Sequence, residues 1–144
     1  MKLSTRGRYS TRLMLELGLR FGKGPVLLKD ISENQDISLK YLGQLIIPLK
    51  IAGLIKSTRG SHGGYFLARS PQEVRLSEII RAVEGTLAFT ECVESPDICY
   101  RSGSCVAHKI WEEASNQFNN MLDSITLADM LQRHKGKPKP AGPH

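Results

Sequence analysis

The sequence predicts a mainly α-helical chain with one small β-hairpin: a winged helix-turn-helix unit followed by a long dimerisation helix. Three observations carry this prediction. Two short segments of helical apolar periodicity flank a tight polar turn within residues 28–53. A hairpin pattern, GLIKSTRGSHGGYFLARS, follows the second of them directly. An amphipathic stretch over 106–123 then lies outside that unit. Two short helices joined by a tight turn form the helix-turn-helix motif, and a hairpin straight after them is the wing.

The elements follow in order. Tyr9, Leu13, Leu17 and Phe21 recur every four residues beside Met14, which predicts a helix over 5–22 ended by GKGP. A short helix runs to Gln35 with Leu28 and Ile31 inward. Ser38 is a candidate N-cap for the next helix, 38–53, whose Leu42, Leu45, Ile46 and Leu49 share one face. Pro48 removes a backbone donor inside it, so a kink or break is expected there, and Gly53 is a candidate C-terminal cap. The hairpin has its glycine-rich tip at 60–64, and 75–85 reads as a further helix closed by Gly85. Residues 1–85 thus make the winged helix-turn-helix domain and 86–105 a loop. Residues 106–133 make the long helix and a short terminal one, which starts at the capping-box variant TLAD. The tail 134–144 is rich in Gly, Pro and Lys and is expected to be disordered.

Charge divides along the same boundaries. Residues 1–85 carry 14 lysines and arginines against seven acids, whereas 86–133 carry three against seven. A basic block beside an acidic one points to a polyanion partner for the first. The opening residues lack the apolar core of a signal peptide, and no apolar run reaches membrane-spanning length. A cytoplasmic, non-membrane protein is expected. No P-loop, dinucleotide fingerprint or nucleophile–base pairing appears, which argues against an enzyme.

In a helix-turn-helix the second helix presents its N-terminal residues to base edges in the major groove of double-stranded DNA. Those residues are Ser38, Lys40, Tyr41 and Gln44; Gln can pair bidentately with adenine. At the wing, Arg59 suits a narrow minor groove. Gly60, Ser61, His62 and Gly64 belong to the same tip, where glycine lets backbone approach phosphate. The plainer alternative is a wing used for protein contacts, with glycines only for the turn.

All three cysteines, Cys92, Cys99 and Cys105, fall in ECVESPDICYRSGSCVAH, and His108 follows the last by three residues. In a reducing compartment such thiols are ligands or reactive groups rather than a disulfide framework. The segment lacks the short knuckles of most zinc sites, yet three thiolates and an imidazole can still form a tetrahedron. An iron–sulfur cluster accepts ligands from a looser loop and is slightly favoured by the spacing. Unligated thiols fit poorly in so polar a segment. Cys105 and His108, three apart, would share one helical face.

Val106, Ile110, Ala114, Phe118, Met121 and Leu122 form one apolar stripe that Ile125 continues. A helix outside a complete winged-helix unit has nothing in its own domain to cover that stripe, so a homodimer is expected.

The segments LSTRGRY, DISLKYL, STRGSHGGY, IIRAVEG and ITLADML, with the cysteine trio, resemble the IscR-type iron–sulfur regulators. These belong to a bacterial family of winged-helix repressors that also holds nitric-oxide sensors and cysteine-metabolism repressors. The resemblance spans residues 1–133. It implies a homodimeric transcription regulator that binds operator DNA. It further implies a 2Fe-2S cluster on Cys92, Cys99, Cys105 and His108, with sensing of cluster supply and control of cluster-biogenesis genes. Nitric-oxide-sensing relatives use an aspartate where this chain has Arg8, which favours the histidine version. Nitric-oxide or redox sensing by the same cysteines, structural zinc, and an electron-transfer or cluster-carrier protein are the alternatives. Two departures stand out: Gly43 occupies a position where IscR-type chains often carry glutamate, and the first cysteine gap holds six residues rather than five.

Overall fold

The computed structural model describes residues 2–135; the tail expected to be disordered lies outside them, apart from its first two residues. Helix α1 spans Thr5–Leu19. Ser4 caps it by accepting from the Gly7 amide at 3.2 Å while donating its hydroxyl proton to Glu84. Leu13, Met14 and Leu17 bury its inner face. The helix ends a turn before Gly22 because Arg20 and Phe21 donate to Leu17 and Gly18, three residues back, which tightens the last turn. Phe21 therefore falls off the stripe and is exposed.

Helix α2 spans Leu28–Gln35 and buries Ile31; Asp36, in the left-handed region at φ 55°, ends it. Helix α3 spans Leu39–Ile51, with the Ser38 hydroxyl accepting from the Tyr41 amide at 3.1 Å. It runs through Pro48 without the expected break. Pro48 lies in the last turn, so one hydrogen bond is forfeited and few residues follow that could be displaced. The C-terminus is closed instead by a Schellman motif. Leu54 donates to Leu49 and Gly53 to Lys50, with Gly53 at φ 76° and both leucines buried.

Strands β1, Ile55–Thr58, and β2, Gly64–Leu67, pair antiparallel with Ile55 opposite Leu67 and Thr58 opposite Gly64. Val26 adds a third, one-residue rung through reciprocal 2.8 Å bonds with Tyr65. A Cβ on Gly64 would lie 2.5 Å from the Val26 carbonyl oxygen, so this approach requires glycine.

Helix α4 spans Leu76–Glu84 and ends at Gly85. Residues 86–105 are not plain loop: a helical turn α5, Glu91–Glu94, precedes a 3₁₀ turn at Pro96–Ile98. Helix α6 spans Val106–Ser124 and α7 Leu127–His134. Leu127 and Leu131 bring α7 back onto the first unit, where Leu131 packs against Gly18 of α1. Thr126 and Asp129 exchange 3.0 Å bonds as a capping box.

The principal core gathers α1, α2, α3, α4 and the wing around Leu13, Ile31, Leu42, Leu49 and Ile79. A satellite core joins Ile80 of α4, Leu87 and Leu122 of α6, with Phe118 and Leu76 at its edge. The stripe on α6 thus does have partners in its own chain, contrary to the sequence expectation, but for one half only. At 100° per residue, Phe118, Leu122, Ser115 and His108 turn toward α4 and the loop. Val106, Ile110 and Met121 remain 76%, 49% and 57% exposed.

Candidate DNA-reading face and thiol–imidazole pair

The α3 face opposite its buried leucines carries Lys40 and Gln44, both exposed. Ser38 is exposed at the helix start, its oxygen already engaged as the cap. Tyr41 is placed differently: its half-buried ring stands edge-on to Tyr9 at 5.6 Å, and the Arg12 guanidinium lies 5.1 Å from the Tyr9 ring. Arg12 also donates to the Gln35 side chain and carbonyl, and the Gln35 and Asn34 amides donate to the buried Glu16 carboxylate. This network ties α1 to the turn between α2 and α3, and Tyr41 packs on Tyr9 beside it.

Arg59, Gly60, Ser61 and His62 are exposed at the wing tip. Lys50 at the end of α3 donates to Ser57 of β1 at 2.9 Å and ties wing to helix. The missing side chain at Gly64 is accounted for by Val26, which leaves only its backbone to meet a partner. Spacing alone missed the outward apolar residues of α3, Leu39 and Ile47, although the helical period that buries Leu42 and Leu45 turns both of them outward.

The second site lies where α5 meets the first turn of α6. Cys92 Sγ is 3.2 Å from His108 Nδ1 and 3.1 Å from Thr90 Oγ1. His108 is 7% exposed, and its other nitrogen faces Glu112 at 3.7 Å, one turn along. The loop is pinned nearby by the Phe89 amide, which donates to the buried Ser115 hydroxyl at 2.8 Å. Cys99 ends the 3₁₀ turn and Cys105 caps α6; both are half-buried, and all three thiols are free. Cys105 has extended backbone (φ −81°, ψ 117°) and occupies the N-cap position of α6, three residues before His108.

The structure therefore brings Cys92 and His108 together and leaves Cys99 and Cys105 at the two ends of a turn-rich segment. Among the described residues no three His, Cys, Asp or Glu side chains converge as they would around a single metal ion. A two-iron cluster draws its terminal ligands as two pairs, and one thiol–imidazole pair is in contact. The donor set fits such a group in kind, and half of it in place.

A helix-turn-helix with a wing on a basic block is the architecture of DNA-binding transcriptional regulators. Comparison with known proteins sharpens this. Residues 3–133 match the family model Rrf2, described as "Iron-dependent Transcriptional regulator", and the chain belongs to this family. It is 40% identical over 141 residues to protein rrf2 of Nitratidesulfovibrio vulgaris, covering 98% of this chain and 94% of that one. Its fold is similar to that of T. potens IscR, with TM-score 0.79, 42% identity and coverage of 99% and 94% of the two chains. It is also similar to CymR, the global cysteine regulator of B. subtilis, with TM-score 0.78, 36% identity and coverage of 92% and 98%. No helix among the described residues is long and apolar enough to cross a membrane.

Proposed function

We propose that this chain is a cytoplasmic, homodimeric regulator that senses iron–sulfur status through a 2Fe-2S cluster on Cys92, Cys99, Cys105 and His108 and so adjusts its grip on operator DNA. The contact of Cys92 Sγ with His108 Nδ1 carries the proposal. A buried imidazole beside a thiol, sixteen residues away along the chain, is the arrangement two ligands of one iron need. Similarity to T. potens IscR, together with the IscR-type resemblance of the cysteine segment, supports this reading. The cluster, when bound, supplies a labile centre whose presence reports iron and sulfur supply. The chain's part is to hold it. Cys92 rides on α5, His108 on α6, and ligation would draw Cys99 and Cys105 toward them, ordering the acidic segment beside the basic head. Glu112, one turn along α6, faces the second imidazole nitrogen at 3.7 Å. On the DNA side, Ser38, Lys40, Gln44 and the Arg59 tip are the contacts proposed, and control of cluster-biogenesis genes is the output. Val106, Ile110 and Met121 supply the dimer face.

One observation favours a second reading, thiol-based redox or nitric-oxide sensing without a resident cluster: among the described residues no three donors converge. Anaerobic purification decides. A coloured protein with two irons and two sulfides per chain, bleached by each of Cys92→Ala, Cys99→Ala and Cys105→Ala, is the expected result. A colourless protein free of iron would transfer the assignment to the thiols, and one zinc per chain would make the site structural.

A further inference from the structure

Leu39, Gly43, Ile47 and Ile51 recur every four residues along α3, on the side away from the core. Leu39 is 50% and Ile47 60% exposed, an unusual load of apolar surface for a helix flanked by Lys40, Lys50 and the Arg59 tip. Gly43 between them is stranger still. Glycine inside a helix costs stability relative to alanine. The two other glycines within helices have local reasons: an added Cβ would meet Glu84 Oε1 at Gly7 and Leu131 Cδ1 at Gly18, each at 2.9 Å. At Gly43 an added Cβ meets nothing within 4 Å. Nothing among the described residues asks for glycine there, which points to what approaches from outside. The occupant of this face is DNA: the face belongs to the second helix of the motif, and the surrounding block carries the basic excess.

The chemistry of the row says what in DNA it meets. In the major groove the thymine C5-methyl is the apolar feature, and it is read by apolar side chains. We infer that Leu39 and Ile47 seat on thymine methyl groups while the bare backbone at Gly43 lets the helix close onto the base edges between them. The operator half-site is then thymine-bearing at those positions, beside the adenine that Gln44 is suited to pair. With no side chain at 43, the helix has no acceptor there for a cytosine amino group. This inference rests on the assignment of α3 as the DNA-reading helix.

The test starts from duplexes enriched out of a random-sequence library by the full-length, anaerobically purified protein. Each thymine of the enriched site is then replaced by deoxyuridine, which removes only the methyl group. Wild-type affinity is expected to fall about fourfold at one or two positions per half-site, the worth of one buried methyl. Ile47→Ala and Leu39→Ala are each expected to bind the thymine and uracil versions of one of those positions equally. Gly43→Ala is expected to raise the thermal midpoint while weakening operator binding. Selective binding that is indifferent to every thymine-to-uracil change would overturn the inference, and so would Gly43→Ala at wild-type affinity. Absence of any enrichment or salt-dependent binding would instead remove the DNA assignment of α3 and the inference with it.

Discussion

Ile110→Asp separates the proposed dimer from the protomer's own fold. Ile110 is 49% exposed in the isolated chain, beside Val106 and Met121 on the more open half of α6. Full burial of an isoleucine is worth about 1.5–3 kcal/mol, so covering the exposed half supplies about 1 kcal/mol. An isologous interface uses the same patch on both subunits, which doubles this to about 2 kcal/mol. Ile110→Ala should therefore raise the dimer dissociation constant roughly thirtyfold. Ile110→Asp should go further, because an unpaired carboxylate would have to be buried on each side, and the variant should be monomeric at micromolar protein. Sedimentation velocity over a dilution series gives the constant. Circular dichroism at monomeric dilution should show an unchanged melting curve. Phe118→Asp would confuse the two effects, since Phe118 packs at the edge of the satellite core and tilts against Phe89 at 5.8 Å. Operator affinity should fall with dimerisation, because two linked half-sites become two separate ones. An Ile110→Asp protein that sediments with the wild-type constant would refute the reasoning, as would a wild type that is monomeric throughout.

Two further outcomes follow from the structure. Gly64→Ala should cost about 1–3 kcal/mol in thermal denaturation, because its methyl group has nowhere to go beside the Val26 carbonyl, and amide exchange should quicken first at Val26 and Tyr65. Burial pushes the Glu78 carboxyl up, but bonds from the Arg75 amide and the Arg69 guanidinium outweigh it and hold the pKa below the usual range. Glu78 therefore contributes stability above the ordinary glutamate pKa of about 4.3, lost as pH falls through its lower folded value. Glu78→Gln should flatten that part of the acid-denaturation profile.

The winged-helix architecture is legible in the sequence because its signals are local. Ser38 caps by its own hydroxyl, Gly53 supplies the left-handed turn, and the Leu42–Leu49 row has a period that only a helix buries. What is not legible depends on residues far apart in the chain. Val26 becomes a rung of the wing only because Gly64 lets the two backbones meet. Leu131 finds α1 because Gly18 leaves a hollow there. The α6 stripe reads as one face in a helical projection, and only the position of Ile80 and Leu87 shows that half of it is already covered. At the loop, spacing pairs Cys105 with His108, while folding also brings Cys92, sixteen residues away, to His108.

The two cores bear on how the loop could speak to the DNA-reading head. Cys92 and His108 meet where α5 touches the first turn of α6, and neither belongs to the principal or the satellite core. Gathering Cys99 and Cys105 toward that pair would rearrange exposed turns and leave the packing under α3 intact. Two elements link α6 to the head: α4, whose Ile79 and Val83 belong to the principal core and Ile80 to the satellite one, and α7, which carries Leu127 into the principal core. The end of α4 meets the start of α1 where the Ser4 hydroxyl donates to Glu84 and Gly7 leaves room for that carboxylate. On the far side, Arg81 and Arg75 of the same segment hold Asn119 and Asp123 of α6. Because linkage is reciprocal, any gain in operator affinity on ligation must return as an equal gain in cluster affinity on DNA.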